Sequence, residues 1–278
     1  MTSFRSRHYS GQILLLTLLV VAVGTTIALS LIGGSTADIE INKQIEESQI
    51  AFNAAEAGIE EALKTGVSNF SGTVPGVTRV SYNTTVAIVG GTTGVYTLPL
   101  TTQPGTGSTI WFVDHTTPTQ LNMASYYTGS NITVCWDNTQ TPGIGVTLYY
   151  FDTTDPVNGY RVARYAYDSQ RVVHQNGFSA PTSNANGCGL PTNAYSVISL
   201  PPTGTNIPIL MHLRPYYAPT LFAVESDPGF ALPQQGYRID STGQTESGVS
   251  KSILVYQDFP SPDITFDAAM ISSQAITK

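Results

Sequence analysis

The side chains able to do chemistry are few and scattered. Four histidines, His8, His115, His174 and His212, could serve as general bases or metal ligands, but they lie far apart and lack paired-ligand spacing. The H-E-x-x-H, G-x-S-x-G, C-x-x-C and phosphate-loop patterns do not occur. His212 sits in ILMHLRPYY, where strand alternation places it on a polar, solvated face. Asp152 and Asp155, in FDTTDPVNGY, offer oxygens that suit either Ca²⁺ or an Asx turn between strands, and the turn needs nothing further. Asp137-Asn138 has the same two readings. Tyr149, Tyr150, Tyr160, Tyr165, Tyr167, Tyr216 and Tyr217 could build a sugar-binding platform, although core packing uses the same rings. Trp136, beside Cys135, is expected in the core against a disulfide. No enzymatic activity and no cofactor or metal is expected.

Composition points away from the cytosol. Of 278 residues only 11% are charged, against about a quarter in an average globular chain. Thr, Ser, Asn, Gly and Tyr take their place, which suits an exported β-rich domain. The net charge is −7, divided as +2 at Arg5 and Arg7, −5 over residues 38–65 and −4 over 66–278. No segment is basic enough for a phosphate-binding stripe, so nucleic acid is not an expected partner. In a chain that crosses a membrane, a lone pair of cysteines, Cys135 and Cys188, is expected to form one disulfide, with two buried thiols as the alternative.

These residues hang on an unusual amino-terminal element. Arg5, Arg7 and His8 precede an uncharged run from Ile13 to Ile32, and no acid appears before Asp38. Twenty residues at 1.5 Å each span about 30 Å, the hydrocarbon core of a bilayer. Positive charge on the amino side keeps that end cytoplasmic and exports the rest. A secretory signal would be shorter and end in a small-residue cleavage site. Residues 38–65 continue as an amphipathic helix, with Ile45, Phe52 and Ile59 every seven residues and Ile41, Ser48, Ala55 and Ala62 between them. No proline interrupts residues 12–65, so one helix of about 80 Å is expected, with Gly24 and the pair at 33–34 as its weak points. Lys64 and Gly66 mark its end. Geometry alone leaves two readings, a permanent anchor with a stalk or a subunit that later leaves the bilayer.

Ser10-Gly11-Gln12 places a glycine between the basic leader and the apolar run, which resembles the prepilin leader of type IV pilins. Residues 51–63, AFNAAEAGIEEAL, resemble the signature of PilX-like minor pilins through Ala54, Ala55, Glu56, Ala57 and Gly58. The resemblance covers roughly residues 5–65. It implies a prepilin leader (1–11), cleavage between Gly11 and Gln12 by prepilin peptidase, and a pilin helix (12–65; transmembrane 13–32, amphipathic 38–65). It also implies packing against other pilins through Leu16, Ile45, Phe52, Ala55 and Ile59. Major pilins carry a glutamate five residues into the mature chain; here Leu16 holds that position, which fits a tip or priming subunit. Localisation would be the inner membrane first, with the carboxy-terminal domain outside the cytoplasm, and the pilus after assembly. A secretion pseudopilin and an uncleaved anchored adhesin are the alternatives.

From residue 66 to 278 the pattern changes from period 3.6 to period 2. Candidate strands are 79–89, 95–100, 109–115, 131–136, 146–151, 160–167, 195–200, 207–217, 221–224, 236–240 and 250–259, with turn signals between them. No helix is expected here. The fold class is therefore α+β, a long amino-terminal helix followed by an antiparallel, sandwich-like β domain that could touch host or cell-surface ligands. The loop 175–191 is the expected internal boundary. GYRIDSTGQTESGVSKSILV reads as a hairpin turning at Thr245–Gly248, and ITFDAAMISSQA as a carboxy-terminal strand.

Overall fold

The computed structural model describes residues 10–65, 69–74, 76, 79–183, 188–190, 193–202 and 204–269. The basic leader at Arg5 and Arg7 lies outside them. The chain divides into two compact units, one comprising residues through Thr85 with Asp240–Leu254, the other Val86–Ile239 with the residues from Val255 on. The architecture is α+β: an amino-terminal helix with an apolar base, then antiparallel sheets.

In the first unit, helix α1 spans Ser10–Thr65 without a break. Its portion Ile13–Ser30 is long and apolar enough to cross a membrane, and none of it is buried within the protein. The threonines of this stretch are satisfied locally. The hydroxyls of Thr17, Thr25 and Thr26 donate to the carbonyls of Leu14, Ala22 and Val23, at 2.9, 2.9 and 2.8 Å. At the other end Thr65 closes the last turn onto the Glu61 carbonyl. Strands β1 (Asn69–Thr73) and β2 (Ser81–Gly90) pair antiparallel, and with β13 (Gln234–Gln244) and β14 (Ser250–Asp258) they form a sheet in the order β1-β2-β13-β14, of which residues 69–73, 81–85, 240–244 and 250–254 belong to this unit. The β13–β14 hairpin turns at Thr245–Gly248 as expected, with the Gly248 N–H donating to Thr245 and Gly248 at φ +91°, a conformation glycine adopts without strain.

The second unit contains the remaining strands: β3 (Val95–Thr97), β4 (Ser108–Trp111), β5 (Val113–Thr117), β6 (Gln120–Tyr126), β7 (Asn131–Asp137), β8 (Gly143–Asp152), β9 (Tyr160–Asp168), β10 (Asn193–Ser199), β11 (Asn206–Tyr216) and β12 (Phe222–Ser226). They sort into sheets β10-β7-β12-β3 and β4-β11-β8-β9 and a β5-β6 ribbon. One core joins the two sheets. Ile132, Val134, Trp136, Phe222 and Val224 come from the first, and Ile110, Ile144, Val146, Leu148, Met211 and Leu213 from the second. Period-2 alternation accounts for this: in NITVCWD every second side chain points inward.

Cys135 therefore faces away from that core. It is bonded to Cys188, 53 residues on, in a separate small cluster with Leu190 and Ala223. Trp136 packs in the main core beside Tyr167 and not on the disulfide, because adjacent strand residues point to opposite faces.

Several local expectations are corrected. Residues 69–73 and 120–126 are strands that Asn, Ser and Gly content concealed. The expected strand 109–115 is interrupted at Phe112, so that β4 and β5 join different partners. Among the described residues after 66 there are two single-turn helices, α2 (Arg171–His174) and α3 (Phe266–Ala269), and the second replaces the start of the expected carboxy-terminal strand. Residues 270–278 lie outside the described ones.

Replacing both cysteines by serine should lower unfolding free energy by on the order of 4 kcal/mol on the chain-entropy model, read as a lower denaturant midpoint. An unchanged midpoint would show that the closed loop does not constrain the unfolded chain.

Candidate assembly helix

The upper half of α1 presents two faces, roughly a quarter-turn apart at 100° per residue. Ala51, Ala54, Ala55, Ile59 and Ala62 are buried. The larger residues Ile41, Ile45 and Phe52 remain uncovered, Ile45 at 52% and Phe52 at 45% of their full exposure. The heptad stripe is thus divided: Ala55 and Ile59 are spent inside the unit, while Ile45 and Phe52 face outward. Leu16, lower on the rod, is exposed as well. Gly11 and Gln12 lie in the first turn of α1, and their side chains are outside the described ones.

Small residues are required on the buried face because backbone meets backbone there. A Cβ on Gly243 in β13 would lie 2.0 Å from the Ala51 carbonyl oxygen and 2.6 Å from the Ala55 nitrogen. A Cβ on Gly58 would lie 2.2 Å from the Ser241 hydroxyl and 2.4 Å from that of Thr84. Those two hydroxyls, both buried, bond to each other at 2.9 Å, so the contact leaves neither unsatisfied. In the signature, Ala54, Ala55 and Gly58 form the contact, Ala57 is half-buried at its edge, and Glu56 is exposed. Lower on the rod Ser247 donates to Glu47 at 2.5 Å, a second tie between hairpin turn and helix. Sequence reasoning did not single out Thr84, Ser241 or Gly243; a glycine inside an otherwise regular strand is the signal of close backbone approach that could have found the last.

The polar candidates of the second unit have structural partners. Asp152 accepts from the Thr154 amide and hydroxyl, and Asp155 from the Asn158 amide, with Arg161 3.8 and 3.2 Å from their carboxylates. The Thr154 contacts hold Asp152 below the ordinary carboxylate range. Asp137 makes the same kind of turn with Thr139. His174 Nδ1 lies 2.7 Å from the fully buried Asp168, which also accepts from Asn176. His212 is not solvated as its strand pattern suggested; it is buried, with Nδ1 2.7 Å from Asp267 of α3. Alternation placed it off the core correctly but could not show that residues 260–267 return over that face. His115 stacks on Phe259 at 3.9 Å and meets Trp111 edge-on. Among the described residues, no group of three or more His, Cys, Asp or Glu could hold a metal ion.

Two outcomes follow from this packing. Gly243→Val should separate helix from hairpin, cost about 1–3 kcal/mol and expose α1 to proteolysis near residue 51, whereas Phe52→Ser should leave the melting temperature nearly unchanged. Burial pushes the His115 imidazole below its ordinary value, against the opposing pull of Asp114. The unfolded chain then binds the proton more tightly, so stability is lost as pH falls through the ordinary histidine range, about 7 to 5. His115→Gln should flatten part of that decline in thermal melts.

No family model matches this chain, and neither the curated proteins nor the solved structures contain a match to it.

Proposed function

We propose that this chain is a PilX-like minor pilin, inserted with its leader in the cytoplasm, cut between Gly11 and Gln12 by prepilin peptidase, and assembled into a type IV pilus through α1. The observation that carries the reading is the divided helix. One rod has a bare apolar base of membrane length, Ile13–Ser30, and an upper half clamped to its own sheet through Ala51, Ala54, Ala55 and Gly58. The clamp leaves Ile41, Ile45 and Phe52 uncovered above the base.

The energetics of assembly then separate along the rod. Moving the base from lipid to a bundle of sister helices exchanges one apolar surrounding for another, and yields mainly packing contacts. The stripe above the bilayer faces water, and because about half of each large side chain is still exposed, burying the rest contributes about 0.7–1.5 kcal/mol apiece. On this reading the water-facing stripe drives the exchange, and the base only permits it. Leu16 demands no charged partner at the site where major pilins place a carboxylate, which suits a subunit that starts or ends a filament.

The second unit would then stand on the filament surface. On this reading its two sheets, which share one core, make a sandwich-like body available to other pilins or to host and cell-surface ligands, with the Cys135–Cys188 disulfide on the outer side of one of them.

Amino-terminal sequencing of the native protein should read from Gln12, and Phe52→Ser with Ile45→Ser should cut recovery in sheared filaments at least about tenfold while leaving membrane insertion intact. A mature chain beginning at Met1, or within residues 33–37, would refute the proposal.

A further inference from the structure

The geometry points to a binding site for an acidic sugar on the outer face of the sheet β4-β11-β8-β9, independent of how the helix is used. Register places its residues. Arg214 in β11 lies opposite Gly145 in β8, and His212 lies opposite Thr147, which in turn lies opposite Arg164 in β9. Residues two apart on a strand share a face, so both arginines stand on the side away from the core, diagonally across β8. A cavity of about 570 Å³ opens there between the sheet and the returning segment Ile264–Asp267. That volume lies within the range of small-ligand sites.

Arg214 is the group that needs a partner. Its guanidinium carbon lies 5.3 Å from the centroid of the Tyr216 ring, and its Nε is buried with no hydrogen bond. Among the described residues no carboxylate forms an ion pair with it, although Arg79 pairs with one and Arg161 with two. The nearest acid in the cavity wall, Asp267, is already committed. It accepts from the Tyr149 hydroxyl at 2.5 Å and lies 2.7 Å from His212 Nδ1, while Arg164 donates to its backbone carbonyl. The half-buried guanidinium of Arg214, with no carboxylate partner of its own, matches a carboxylate through its two terminal nitrogens in two parallel hydrogen bonds.

The surroundings select a ring. Gly145 is bare because a Cβ there would lie 2.9 Å from the Tyr216 ring; its absence lets Tyr216 lie flat over the sheet. Tyr216 and Phe178, edge-on at 5.6 Å, give the cavity an aromatic wall suited to the C–H face of a pyranose. Thr147 and Thr265 line the same cavity and carry hydroxyls of the kind that meet a sugar's own. In a chain of net charge −7, long-range attraction for anions is weak. Recognition must therefore come from contact, which favours a carboxylate carried on a ring over a bare anion.

The test is calorimetric and ligand-observed NMR titration of the full chain in a sugar-free detergent, with D-glucuronate, D-glucose and acetate as probes. Glucuronate should saturate, with glucose and acetate each at least about tenfold weaker, and Arg214→Gln should weaken glucuronate by a similar factor. Arg164 is exposed, so Arg164→Gln should keep the fold and weaken glucuronate too; it decides the matter if the Arg214 variant does not fold. Equal affinity for glucuronate and glucose, or for glucuronate and acetate, overturns the inference. So does the absence of saturation at on the order of 10 mM glucuronate, or full affinity in the Arg164 variant.

Discussion

Everything in the helix-bearing unit depends on one approach of backbone to backbone, where α1 passes over β13 at Gly243 and Gly58 passes over Thr84 and Ser241. At that distance there is room for alanine and glycine only. The contact gains little from apolar area, since alanine buries few atoms. It gains from the density of close packing and from a buried hydroxyl pair that satisfies itself. Because small residues do the clamping, the large apolar residues are left for other uses. A helix that docked through Ile45 and Phe52 would be anchored more strongly and would have nothing left to offer a neighbour.

The same economy appears in the second unit. Its core is built from alternate residues of two sheets, so the outward positions of those strands are free to carry other chemistry. On β7 the outward position carries Cys135 and the disulfide. On β11 the outward positions carry His212 and Arg214, the first roofed by the segment that ends in α3, the second opening into a cavity. A strand pattern that looks merely amphipathic thus holds a packed face, a covalent tie and a polar floor.

Much of this was legible in the residues. The absence of proline from 12 to 65 and the apolar spacing foretold α1, and alternation located the strands that form the core. The turn at Thr245–Gly248 and the turns at Asp152 and Asp155 followed from residue chemistry. The division of the helix face was not legible, because Ala55 and Phe52 occupy similar heptad spacing and only the position of β13 decides which is covered. Strands β1 and β6 were missed because NFSGT and QLNMASY lack β-branched alternation; they are held by pairing with β2 and β5. The His212–Asp267 contact joins residues 55 apart, and no local pattern announces a segment that folds back. The resemblance in residues 51–63 drew attention to the right stretch, but Thr84, Ser241 and Gly243 show their part in it only once the strands are placed.

The three threonines near the base of α1 have a consequence of their own. Each hydroxyl is bound to a carbonyl one turn back, so these three side chains present no unmet donor to whatever surrounds them. Acyl chains, detergent tails and the flank of a neighbouring protein all meet the same closed, self-sufficient exterior. At these three positions a change of surroundings would break no internal bond.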